Sequence, residues 1–118
     1  MDARLLFIGD DICHRLPVLL SAGYTVAELQ SPAHLAAALA ALDCPDAILV
    51  TSTDAKLASQ VLSVARSRST TPVILFCDQG YDYGSAQFDL VIPVLTPPLT
   101  WLEDIRALVE KNRERSAN

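Results

Sequence analysis

The sequence predicts a three-layer, doubly wound α/β domain: a five-stranded parallel sheet with helices on both faces. Three observations carry this. Short continuous apolar runs, Leu5-Leu6-Phe7-Ile8, Ala47-Ile48-Leu49-Val50 and Pro72-Val73-Ile74-Leu75-Phe76-Cys77, read as strands buried on both faces. Segments with helical spacing of apolar residues lie between them. The connections are short, and strands alternating with helices in one chain build a parallel sheet through right-handed crossovers. A chain of 118 residues, 51% of them apolar, holds one such domain with a real core.

Each element follows from local chemistry. The first strand, Leu5 to Ile8, is closed by Gly9-Asp10-Asp11. A helix follows with Leu16, Leu19 and Leu20 inward and Gly23 as its stop. Pro17 would break the interior of that helix, so the helix starts late and holds Pro17 in its first turn. Tyr24 to Leu29 alternates weakly and forms the second strand. Ser31-Pro32 is a strong helix start, a hydroxyl cap before a proline, and Leu35, Leu39 and Leu42 continue at helical spacing. Asp46 to Thr51 is the third strand. Thr53 or Asp54 caps the next helix, where Leu57, Val61, Val64 and Ala65 share a face. Pro72 to Cys77 is the fourth strand. The stretch from Gln79 to Gln87 carries turn residues and little periodicity, which leaves room only for a short or broken helix. Asp89 to Leu95 is the fifth strand, sent to the sheet edge by Pro93, which cannot donate to a ladder. Thr96-Pro97-Pro98 opens the last helix, with Leu102, Ile105 and Val109 inward. The polar stretch from Lys111 to Asn118 frays or leads into a linker, so the domain is taken as residues 1–113 with 114–118 as a tail.

Composition excludes several function classes. The 14 acidic residues exceed the 9 basic ones, and a net charge of −5 opposes binding to a phosphate backbone. From Ser69 to Ile105 there is no Lys or Arg at all. No apolar run approaches the roughly 20 residues of a membrane span. The first residues, Met1-Asp2-Ala3-Arg4, do not resemble a secretory signal. Three cysteines, Cys13, Cys44 and Cys77, without paired spacing fit neither a disulfide framework nor a zinc site. The expectation is a cytoplasmic protein without membrane or nucleic-acid partners.

In a parallel α/β sheet, ligands bind at the carboxyl ends of the strands. Asp10 and Asp11 lie just past the first strand, and a carboxylate pair suits a weakly held Mg²⁺; equally, one caps the next helix and the other is solvated. Asp54 fits a cap, and Asp78 adds to an acidic rim. Cys77 ends a buried strand and reads as a small core hydrophobe, since no base or cation stands near it in sequence. His14 is near the acidic pair and His34 sits in a first helical turn; both read as surface residues. Gly80 and Gly84 lack the spacing of a phosphate loop. Tyr81, Tyr83 and Trp101 could form an aromatic interface, and Trp101 could instead cover the edge strand.

Several segments together resemble a known family. The strand ending in Asp10-Asp11, Ala22-Gly23-Tyr24-Thr25-Val26, Pro45-Asp46-Ala47-Ile48-Leu49-Val50, Thr71-Pro72-Val73-Ile74-Leu75 and Ile105-Arg106-Ala107-Leu108-Val109 look like response-regulator receiver domains, the CheY-like phosphoacceptor modules of two-component signalling. The resemblance covers nearly the whole chain. It implies a flavodoxin/CheY-like strand order of 2-1-3-4-5. It also implies a Mg²⁺-binding acidic pair at Asp10 and Asp11. The phosphoacceptor aspartate of the family aligns with Thr51, its Thr or Ser after strand four with Cys77, and its lysine after strand five with Val94. Only the acidic pair matches the family pattern. The segment before strand five is also several residues shorter than in receivers, so the fourth helix is expected short or missing.

The expectation is therefore a degenerate receiver, or pseudo-receiver. It is not an enzyme, requires no cofactor, and acts by contact with a signalling protein or a second copy of itself, with Trp101 as an interface residue. The alternatives are a divergent receiver phosphorylated at a displaced aspartate such as Asp54, or a cation- or small-molecule-binding module built on the acidic rim.

Overall fold

A computed structural model gives the architecture. It describes residues 3–9, 14–41, 45–51, 55–77, 88–93 and 95–117. The elements run β1 (Arg4–Gly9), α1 (Arg15–Ser21), β2 (Thr25–Leu29), α2 (Pro32–Ala40), β3 (Ala47–Thr51), α3 (Ala55–Arg68), β4 (Val73–Cys77), β5 (Leu90–Pro93) and α4 (Pro98–Ala117). All strand pairs are parallel, and the order is β2-β1-β3-β4-β5, as the family resemblance implied.

Strand alternation divides the core in two. On one face Leu5, Phe7, Leu49, Ile74, Phe76 and Ile92 pack under α1 and α4, which contribute Leu19, Trp101, Ile105 and Val109. On the other face Ile8, Ile48, Val50, Val73 and Leu75 pack under α2 and α3, which bring Leu35, Ala58, Val61 and Ala65. Every residue of β3 is buried, as expected of the central strand. Burying each of these large side chains contributes about 1.5–3 kcal/mol before conformational entropy is subtracted.

The local signals act as their chemistry demands, except that Leu20, expected inward on α1, is exposed while Leu19 carries the buried face. Pro17 is the third residue of α1, where it costs no intrahelical hydrogen bond. The helix is entered through His14, whose φ of 53° and ψ of 42° are left-handed. Ser31 caps α2: its Oγ accepts the His34 backbone N–H at 3.3 Å. Pro93 is the last residue of the edge strand β5. The expected short fourth helix falls on residues 78–87, outside the described residues.

The last helix differs from expectation. Instead of fraying after Lys111, it continues to Ala117. Its polar end is anchored by a long-range contact, in which the Arg113 guanidinium donates to Asp46 at 2.9 Å and 3.1 Å. Asp46 precedes β3 and also accepts the Arg4 backbone N–H at 2.8 Å, while donating its own N–H to the Arg4 carbonyl at 2.7 Å. Asp89, before β5, repeats the arrangement. It accepts the Val73 N–H at 2.7 Å, donates to the Val73 carbonyl at 3.0 Å, and takes the Arg66 guanidinium at 2.9 Å. Two aspartates thus tie the amino ends of the strands to α4 and α3.

Candidate functional site at the carboxyl ends of the strands

The backbone places three residues side by side where the strands end. Thr51, the last residue of β3, is in register with Gly9 of β1 and with Phe76 of β4. Alternation from Ala47 and Leu49 puts the Thr51 side chain on the α1 and α4 face, and only 4% of the residue is exposed. Gly9 has a φ of 112°, and a Cβ there would overlap the Thr51 backbone carbonyl oxygen. Glycine is therefore required beside Thr51.

One charged residue enters this row. Arg15, the first residue of α1, is 6% exposed, and its guanidinium carbon lies 4.2 Å from the centroid of the Phe76 ring. A desolvated cation over an aromatic face gains about 2 kcal/mol. Phe76 in turn meets Trp101 of α4 edge to face, with centroids 5.4 Å apart and planes at 85°, a geometry worth about 0.5–1.5 kcal/mol beyond burial. The row thus reads Gly9, Thr51 and Phe76 across the sheet, with Arg15 and Trp101 stacked on Phe76. Arg15 escaped the sequence reading because an arginine just after an acidic loop looks solvated. Its stacking partner is far away in the chain, and no local pattern announces it.

The expected site residues are distributed as follows. Thr51 is in the row. Cys77 ends β4, with its backbone in register with Pro93. Asp10, Asp11 and Val94 lie outside the described residues, as do Asp54, Asp78, Gly80, Tyr81, Tyr83, Gly84, Cys13 and Cys44. Trp101, expected at an interface, is 3% exposed and belongs to the core. Its indole seals the β4–β5 side of the sheet, because an aromatic ring of that size gains more from the Phe76 edge than from water. The exposed apolar residues of the neighbourhood are Leu95 and Leu99. His14 and His34 are exposed.

Mg²⁺ demands oxygen ligands in near-octahedral geometry, usually carboxylates. Of the residues the resemblance assigns to the metal pocket, the described one is Thr51, a neutral buried hydroxyl. Among the described residues no cluster of three His, Cys, Asp or Glu side chains suits a metal. Asp10 and Asp11, the carboxylates that the resemblance assigns to the metal, lie outside the described residues.

Electrostatics elsewhere are structural. Burial raises the Tyr24 hydroxyl above its ordinary pKa, and the nearby Arg106 only partly offsets this. Burial acts to raise the Asp46 carboxyl, but the hydrogen bonds from Arg113 and the Arg4 N–H outweigh it and hold the group below the ordinary carboxylate value. Tyr24 lines a cleft of about 240 Å³ between the turn after α1 and α4, together with Ala22, Leu99, Leu102, Glu103 and Arg106.

Solved structures share this architecture at low sequence identity. The receiver domain of a signal-transduction histidine kinase from Syntrophus aciditrophicus superposes with a TM-score of 0.69 at 17% identity, over 92% of this chain and 91% of its own. A chemotaxis response regulator of Vibrio cholerae gives 0.70 at 20%, over 92% and 99%. The chain has the receiver fold. The receiver domain of a sensor histidine kinase from Pseudomonas aeruginosa PAO1, solved with a magnesium ion in its active-site cleft, gives 0.68 at 13%, over 93% and 99%. No family model and no curated protein matches the sequence. The receiver fold is therefore carried here by topology and core pattern, with little sequence kept. Among the described residues, no helix is long and apolar enough to cross a membrane.

Proposed function

We propose that this receiver-fold chain is a signalling module that works without an acyl phosphate, through contact with a protein partner or a second copy. One observation carries the reading. The position at the end of the central strand, where receivers place the phosphoacceptor, is Thr51, buried and bordered by Gly9 and Phe76. An acyl phosphate needs a carboxylate oxygen as nucleophile. A buried hydroxyl has a far higher pKa and needs a general base to attack phosphorus. The site is accordingly read as non-enzymatic, and as responding to partners rather than to phosphoryl donors.

The test is incubation of the full chain with Mg²⁺ and acetyl phosphate, followed by mass spectrometry before and after hydroxylamine. The expected result is no hydroxylamine-labile phosphate adduct. Such an adduct overturns the reading, and its location identifies the acceptor: an adduct on Asp54 makes the chain a divergent phosphorylated receiver. A thermal shift with Mg²⁺ alone that Asp10→Asn abolishes supports the cation-binding module instead.

A further inference from the structure

We propose that the cleft between the turn after α1 and α4 docks a second copy of this chain, with Leu99 of each copy seated in the cleft of the other. The inference rests on reading the chain as a module that acts by contact, and it names the surface and the partner.

The surface fits itself. Ala22, Leu99 and Leu102 give the cleft an apolar lining, and its volume of about 240 Å³ has room for an aliphatic side chain. Leu99 lines the cleft and yet is 84% exposed, more than any other large apolar residue among those described. Exposed leucine surface gains by leaving water. A two-fold contact between identical chains brings the same patch together from both sides, so the patch must be its own complement. An apolar knob standing beside an apolar hole meets that condition.

Charge favours a second copy over an unlike partner. The chain carries a net charge of −5, so two copies repel each other over most of their surface. Within the cleft the charge is balanced: its two charged residues, Glu103 and Arg106, pair with each other, Arg106 Nε donating to Glu103 at 3.1 Å. Arg106 also reaches Glu110, one turn further along α4, at 3.3 Å. Two neutral patches meet without repulsion, whereas a strongly charged partner gains nothing from one. Antiparallel α4 helices complete the match. With each residue advancing the helix by about 1.5 Å, setting Leu99 of one copy against Leu102 and Glu103 of the other also sets Glu103 against the amino end of the other α4. That first turn holds no acidic residue of its own, and a carboxylate is favoured there by the backbone dipoles. Symmetry makes each contact twice.

The test is sedimentation equilibrium of the full chain at rising concentration, with the backbone amide resonances of Ala22 and Leu102 followed over the same range. A patch this small gives a weak dimer, with a Kd between about 10 μM and about 1 mM. The two amides are expected to shift as the dimer forms. Leu99→Asp changes an exposed side chain, and is expected to raise Kd at least about tenfold and to abolish the shifts, because symmetry counts the loss twice. Leu20→Asp replaces another exposed leucine, one that does not line the cleft, and is expected to leave Kd unchanged. A chain that stays monomeric throughout, a dimer that Leu99→Asp does not weaken, or equal weakening by Leu20→Asp overturns the inference. The phosphorylation test is decided separately. A monomer without a phosphate adduct overturns the docking of a second copy alone, and an adduct on a chain that still dimerises through Leu99 overturns the phosphate-free reading alone.

Discussion

Gly9→Ala tests the geometry of the row most directly. Two costs combine. The first is conformational: a non-glycine residue at a φ of 112° is strained by about 1–3 kcal/mol. The second is steric, because the new methyl group meets the Thr51 carbonyl oxygen, a backbone atom that no rotamer change can move aside. Relief requires the ends of β1 and β3 to separate. That loses ladder hydrogen bonds worth about 1 kcal/mol each and leaves buried groups unsatisfied at about 1–3 kcal/mol. The sum is about 3–7 kcal/mol, a large share of the roughly 5–15 kcal/mol available to a domain. Gly23→Ala is the internal comparison. Gly23 has a φ of 95° but lies exposed in the turn after α1, so it bears chiefly the conformational cost, about 1–2 kcal/mol. Equilibrium urea unfolding followed by Trp101 fluorescence measures both. If Gly9→Ala costs no more than Gly23→Ala, the close approach of β1 to the Thr51 backbone does not exist in solution and the row is wrongly built.

Two further outcomes follow from the same structure. Thr51→Asp places a carboxylate in a site only 4% exposed, so it should destabilise the chain by about 2 kcal/mol at neutral pH. Burial raises that carboxyl's pKa, so the deficit should shrink as pH falls through it; unfolding midpoints at neutral and acid pH check both sign and size. Asp46 behaves oppositely, because its folded pKa lies below the ordinary value. Its stabilising contribution is present above about pH 4 and is lost as pH falls through the lower folded value. Asp46→Asn should therefore cost about 1 kcal/mol at neutral pH, a modest figure because Arg113 is 46% exposed, and almost nothing in acid.

Most of the fold was legible because its signals are local. Continuous apolar runs marked β1, β3 and β4, Ser31-Pro32 marked the start of α2, and Pro93 marked an edge strand. The length of α4 was not legible: its polar end reads as fraying until Arg113 meets Asp46, 67 residues away in the chain. The site was half legible. The place of Thr51 came from counting along β3, since a strand's period fixes position. Trp101 was read both as an interface aromatic and as a cover for the edge strand, and its burial against Phe76 favours the second; Arg15 drew no reading, because the ring it meets lies far away in the chain.

The paired aspartates before β3 and β5 have a mechanical meaning. Each is a rivet joining a strand start to a helix, through Arg113 for α4 and Arg66 for α3. A load applied to the far tip of α4 therefore runs through Arg113 into Asp46 and is spread over the beginnings of β1 and β3. That edge, opposite the rim where Thr51 and Phe76 sit, serves as the foundation of the domain.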